Sequence, residues 1–299
     1  MKKGTVRRTR ALAGYLVFGL LLTAGLLIYR FPGDAVRVYL ESKAKGIAPR
    51  CTLSIGAVSL HYTLGLRLGS PRLSCGTLSG EGIFEADHLL IRPQIRTLFG
   101  GGMALLFEGP VYGGVVEGKV RLPEKEAGGP VTLSLAIEDV AVGEAAALGK
   151  FLGRRVTGAL SGTLFYDGRV DALTRGSGEA RLVLSDGEVQ LLQPLLGLAS
   201  VDFKEIRTTV VCKDGKMDFT RTEFRGPTLR GELPGSVMLE REFSKSRLNL
   251  RGTIEPLGAL AGRLTGTDPE ATFIRRLLRG GRLSFLIQGV IAKPSIRFT

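Results

Sequence analysis

The sequence has no tryptophan, two histidines, three cysteines and four methionines in 299 residues. Two histidines, His61 and His88, are too few for the multi-ligand clusters that hold a structural or catalytic metal. Three cysteines without a C-x-x-C pair exclude both a disulfide-stapled scaffold and a zinc ribbon. The G-x-x-x-x-G-K-[ST] phosphate loop, H-E-x-x-H and G-x-S-x-G are all missing. Ser79 and Ser161 lie in Leu-Ser-Gly segments, but no histidine is positioned as the base a nucleophile needs. A strand would splay the adjacent Glu138 and Asp139 to opposite faces. The run Leu98-Phe99-Gly100-Gly101-Gly102 does not open a helix after a strand, so it reads as a loop and not a phosphate cradle. The expectation is a non-enzymatic chain with no cofactor and no metal.

Acidic residues are also scarce: 28 Asp+Glu face 41 Lys+Arg, a formal net charge of +13. With 44% hydrophobic residues the chain is too apolar to be disordered, and its 42 glycines lack the collagen period. The charge points to anionic partners, and its placement narrows them. Lys2, Lys3, Arg7, Arg8 and Arg10 precede an uncharged run from Ala11 to Tyr29. As a helix that run is about 28 Å long, close to the hydrocarbon thickness of a bilayer. Basic residues ahead of such a run hold that end in the cytoplasm. A cleaved signal peptide has a shorter apolar region and an A-x-A-like site, and Thr23-Ala24-Gly25 matches that poorly. We therefore expect a basic cytoplasmic tip (1–10), a transmembrane anchor (11–30), a juxtamembrane helix (31–50) and one extracytoplasmic body (51–299). The tip accounts for five of the thirteen net charges, which leaves +8 on the rest.

After the anchor, Asp34 caps an expected short helix with Ala35, Val36, Tyr39 and Leu40 on one face, ending at Gly46. From Cys51 onward the dominant period is two. Leu133, Leu135 and Ile137 oppose Thr132, Ser134, Ala136 and Glu138, while Leu248, Leu250 and Ile254 oppose Arg247, Asn249, Arg251 and Thr253. Val116–Leu122 and Glu179–Asp186 alternate in the same way. This is the signature of sheets with one covered and one wet face. Asp167-Gly168, Asp186-Gly187 and Asp214-Gly215 read as hairpin turns. Helical breaks are expected at Gly143–Gly153, at Leu191–Ala199 around Pro194, and at Thr267–Gly281, where Asp268 caps and Pro269 opens the helix. Strands at Arg282–Val290 and Ser295–Phe298 follow. The fold class is mainly β: a long, curved, mostly antiparallel sheet with a few short helices.

Two groups of residues carry alternatives. Cys51 and Cys75 lie in neighbouring strand-like segments and form a candidate disulfide; otherwise all three cysteines are small buried hydrophobes. Arg275, Arg276, Arg279 and Arg282 cluster opposite Phe273, Ile274, Leu277 and Leu278. They read either as a contact for anionic head groups or an acidic partner, or as the solvated face of a packed helix. No stacking aromatics interleave with these charges, which argues against nucleic acid.

The whole organisation resembles AsmA-like proteins of the Gram-negative inner membrane, and within them the GspN family of type II secretion systems. Phe31-Pro32-Gly33-Asp34-Ala35-Val36-Arg37-Val38-Tyr39-Leu40 and Gly65-Leu66-Arg67-Leu68 carry the likeness early in the chain. Ile91-Arg92-Pro93, Phe107-Glu108-Gly109-Pro110-Val111-Tyr112-Gly113-Gly114, Gly158–Leu164 and Gly176–Ala180 carry it through the middle. Gly281-Arg282-Leu283-Ser284-Phe285, Gly289 and Lys293-Pro294 are similar to the closing strands of AsmA-like domains. The resemblance implies a single-pass inner-membrane protein with a periplasmic β trough or half-barrel. It also implies partners among other secretion-system subunits or, alternatively, phospholipid or lipopolysaccharide acyl chains held in an apolar groove.

Overall fold

The computed structural model describes residues 29–47, 51–61, 65–75, 84–94, 103–122, 129–145, 153–169, 175–195, 198–240, 245–263 and 278–299. It also describes single positions between 14 and 26 and at 149, 272 and 276. Helix α1 (Gly33–Ile47) leads into β1 (Cys51–Ser54), β2 (Ala57–His61), β3 (Gly65–Gly69), β4 (Arg72–Cys75), β5 (Phe84–Glu85) and β6 (His88–Pro93). Then come β7 (Met103–Val111), β8 (Gly114–Leu122), β9 (Pro130–Ala141), β10 (Ala159–Arg169), β11 (Ser177–Leu195), β12 (Leu198–Lys213) and β13 (Lys216–Arg225). The chain closes with β14 (Leu229–Glu232), β15 (Gly235–Met238), β16 (Arg247–Pro256), α2 (Gly258–Arg263), β17 (Leu283–Val290) and β18 (Lys293–Phe298).

Strands β1, β4 and β5 form a small sheet, and the others form one curved sheet of 15 strands. From β6 to β13 each strand pairs antiparallel with the next in sequence, a meander built from local contacts. β14 and β15 share the space between β13 and β16, each pairing with part of both. The sheet therefore runs from β2 at one edge to β18 at the other.

Register sorts the side chains. Leu66, Ile91, Phe107 and Gly118 are opposite one another in turn, followed by Leu135, Leu164, Ala180 and Val210. At the far end, Val237 pairs with Leu248, and Leu250 with Ile287 and Ile296. The intervening positions carry mostly Arg, Lys, Glu, Asp, Ser and Thr, with Leu106, Phe165, Leu286 and Val290 among the exceptions. A period of two thus produces one apolar and one charged face across the sheet.

Buried clusters lie where something covers the apolar face. Val36 and Leu40 of α1, with Phe31, pack on Ile55, Val58 and Leu68. Burying each such side chain contributes about 1.5–3 kcal/mol. Glu41 fixes the helix by accepting a hydrogen bond from the Ile55 backbone N–H at 2.9 Å. Leu260 of α2 packs on Val201 and Leu229. A third cluster joins Ala86, Val111, Val116 and Val140.

Several expectations need correction. Tyr39 is 59% exposed and does not share the buried face of α1; Lys43 lies over its ring instead. Asp34 sits in the first turn, after Gly33, and does not precede the helix. Asp214-Gly215 is a tight hairpin turn, with φ of 50° and 80°. Asp167-Gly168 and Asp186-Gly187, however, lie inside β10 and β11. Asp186 takes φ 47° within its strand, so the pair provides a left-handed backbone site without reversing the chain. Leu191–Ala199 is not helical: Leu195 pairs with Leu198 as β11 turns into β12. Of the expected helix at 143–153, Val142–Glu144 forms a 3-10 turn, and much of the remainder lies outside the described residues. Most of 267–277 and all of 1–10 lie outside them too. Gly14, Tyr15, Phe18, Gly19, Leu22, Thr23, Gly25 and Leu26 are helical, and Tyr15, Phe18, Leu22 and Leu26 are 54–76% exposed. Among the described residues no helix is long and apolar enough to cross a membrane.

Candidate binding faces of the sheet

On the apolar face, Leu164, Leu182, Leu184, Leu250 and Ile287 are half-buried, unlike the covered Val58 and Leu68. Among the described residues none of these five belongs to a buried cluster. Aromatic rings lie flat on this face because glycine stands opposite them. Phe107 pairs with Gly118, and Phe285 with Gly252. A Cβ built on either glycine would run into the facing ring. The ring lies across the sheet and fills the space of the missing side chain. Tyr166, Gly178 and Cys212 form one further row. Burial raises the Tyr166 hydroxyl pKa, with smaller contributions from Cys212 and Asp167. Burial likewise raises the Cys212 thiol. Both groups are therefore neutral at neutral pH, consistent with an apolar surface.

The opposite face is a field of ion pairs. Arg92 meets Glu108 at 2.6 Å, Arg181 meets Glu179 at 2.7 Å, and Lys216 meets Asp218 at 2.6 Å. A hydrogen bond from Arg221, with Arg225 alongside, lowers the Glu223 pKa. Glu255 is lowered first by its hydrogen bonds from Arg230 and then by Arg282. Exposed pairs of this kind contribute little each to stability, so they act mainly as a solvated, patterned surface. On this face a hollow of about 630 Å³ spans β6 to β11. Its floor is Ser134, Ala136 and Thr163, flanked by Leu106 and Phe165, which are 39% and 46% exposed. The hollow depends on strand register, which spacing along the sequence does not reveal. Its one local signal is that Leu106 and Phe165 are apolar at positions where the alternation calls for polar residues. A second hollow, lined by Asp167, Arg169, Arg175, Lys213 and Asp214, lies at the hairpin ends.

The anticipated site residues do not assemble into one patch. Arg279 and Arg282 exchange backbone hydrogen bonds across a Gly280-Gly281 turn. The Arg282 guanidinium is 3.6 Å from Glu255. Arg276 is helical and exposed, and Arg275 lies outside the described residues. His61 is in edge strand β2 and His88 in β6, on opposite sides of β3. Cys51 stands directly opposite Cys75 in the β1–β4 register and is disulfide-bonded, while Cys212 is free. Among the described residues, no group of three or more His, Cys, Asp or Glu is arranged to hold a metal ion. No family model, no curated protein and no solved structure matches the chain.

Proposed function

We propose that the chain is a non-enzymatic, GspN-like component of the type II secretion apparatus, tethered to the inner membrane by 11–30 with its sheet in the periplasm. The observation that carries this reading is the segregation of one long sheet into an apolar face and an ion-paired face. Such a surface presents contacts over a large area. The opening residues of the resemblance contribute to it. Phe31 joins the first core cluster, and Gly33 lies so close to the Val58 carbonyl that a Cβ would overlap it. The Phe-Pro-Gly-Asp segment thereby seats α1 on β2, which would fix the sheet to the membrane anchor. Deleting the gene in a host carrying a type II system should block release of its exoproteins, and the intact gene should restore it. Normal release in the deletion strain would sink the reading.

A second reading has its own observation. The half-buried Leu164, Leu182, Leu184, Leu250 and Ile287 form a surface suited to acyl chains, as in an AsmA-like lipid-binding protein. The full chain purified in a mild detergent should then carry phospholipid or lipopolysaccharide detectable by mass spectrometry. Leu182→Asp with Leu250→Asp should abolish that lipid. Equal lipid on wild type and variant would assign it to the anchor alone.

A further inference from the structure

The two edges of the large sheet are not alike. Edge β2 lies against α1, and Arg37 donates to the Gly56 carbonyl just before it. Edge β18 pairs with β17 on one side, and among the described residues nothing pairs with the other. Five of its six residues are exposed, and Ile296 and Phe298 are 50% and 39% exposed. Lys293 and Pro294 stand at its start, where charge and a missing N–H discourage pairing. Ser295–Phe298 has neither obstacle along its backbone apart from Arg297, whose side chain lies on the charged face.

Charge on this end of the sheet is one-sided. Register places Arg247 and Lys293 on either side of Val290, and Arg251 and Arg297 on either side of Leu286. Among the described residues none of these four cations has an ion pair, in contrast to the alternating pairs from β6 to β14. The one carboxylate on β16–β18, Glu255, is engaged by Arg230 and Arg282. Two of these cations, Lys293 and Arg297, lie on one face of β18, while Ile296 and Phe298 lie on the other.

We propose that Ser295–Phe298 is an acceptor edge for an extended segment of a partner protein that alternates acidic and apolar residues. Added as the next strand, such a segment satisfies the outward backbone groups, sets carboxylates beside Lys293 and Arg297, and sets apolar side chains beside Ile296 and Phe298. A flat anionic bilayer matches this edge less well. It can meet the cations or the apolar pair, which point to opposite faces, and it supplies no strand of hydrogen-bonding groups. The inference stands independently of the secretion or lipid readings, since it uses only the edge.

The test is fluorescence anisotropy of the full chain in detergent with a labelled peptide alternating Glu and Val. A peptide of the same composition with Glu and Val in blocks is the comparison. The alternating peptide should bind at least about tenfold tighter than the block peptide, and Lys293→Glu with Arg297→Glu should weaken it by about tenfold or more. Backbone N-methylation of alternate peptide residues should abolish binding without altering the protein, which keeps the test independent of variant folding. Equal binding of both peptides, or of the N-methylated one, would reduce the effect to charge and overturn strand addition. Phosphatidylglycerol vesicles that bind through Lys293 and Arg297 while the peptide does not would overturn the protein partner in favour of a membrane. Self-association lost in the same variant, without peptide binding, would replace the acidic partner by a second copy.

Discussion

Replacing Gly252 by alanine separates a packing effect from a backbone effect. Gly252 is buried on β16, and an added Cβ would overlap Cζ of the Phe285 ring, with Cε1 and Cε2 within 2.8 Å. Its φ is not in the left-handed region, so alanine meets no backbone strain there. In a strand without an overlying ring, Gly→Ala should stabilise by about 0.5–1 kcal/mol through the unfolded state. Here the ring must swing off the sheet or the strands must shift, an overpacking cost of about 1–3 kcal/mol. The two terms oppose one another, and the second wins. Thermal or denaturant unfolding of Gly252→Ala should show a loss of about 1–2 kcal/mol, a few degrees in Tm. In a Phe285→Leu background the same change should become neutral or stabilising, giving a clear coupling in the double-mutant cycle. A stabilised Gly252→Ala protein with Phe285 intact would refute the claim that the ring lies on that glycine.

Other outcomes follow from the same geometry. The chain from Cys51 to Cys75 closes a loop of 25 residues, so Cys51→Ser should lower stability by about 3 kcal/mol, read by chemical unfolding with and without reductant. Burial raises the Cys212 pKa, so at pH 7.5 iodoacetamide should label it more slowly than a free thiol, with the rate climbing as pH rises. Glu223 and Glu255 are depressed in the folded state, so their contribution is present above the unfolded carboxylate pKa and is lost as pH falls through the folded value. Melting curves from pH 7 to pH 3 should show this loss, and Glu223→Gln with Glu255→Gln should flatten it.

The parts legible in the sequence are those governed by local periodicity. Thr132–Glu138 and Arg247–Ile254 show their two faces directly, because side-chain direction in a strand follows from spacing alone, whereas Asp139, at φ 51°, interrupts the alternation at a register shift. The existence of the helix at 33–47 was legible from the spacing of Val36 and Leu40, while its cap at Asp34 and the placing of Tyr39 on its buried face were not. Register between strands was not, and the consequential features depend on it. The seating of Phe285 on Gly252 and of Phe107 on Gly118 joins residues 33 and 11 positions apart. The hollow over Ser134, Ala136 and Thr163 needs β9 and β10 aligned before its small floor is visible. Aspartate-glycine pairs misled because the same left-handed preference serves a hairpin at Asp214-Gly215 and an in-strand irregularity at Asp186-Gly187. Tyr112-Gly113 is a tight turn with an aromatic at φ 46°, which propensity disfavours and the third core cluster supports, since Tyr112 packs there. The arginines after 274 looked like one patch by spacing, yet the Gly280-Gly281 turn brings Arg282 to Glu255.

The central claim is that the two faces of this sheet are contact surfaces for a secretion assembly. A photo-crosslinking amino acid at Arg207, on the charged face, and another at Leu182, on the apolar face, tests it in cells carrying a type II system. The account predicts discrete protein adducts from Arg207 that mass spectrometry assigns to periplasmic secretion subunits, and lipid or protein adducts from Leu182. Absence of any secretion-subunit adduct at both positions, with the protein present at its normal level, would contradict it.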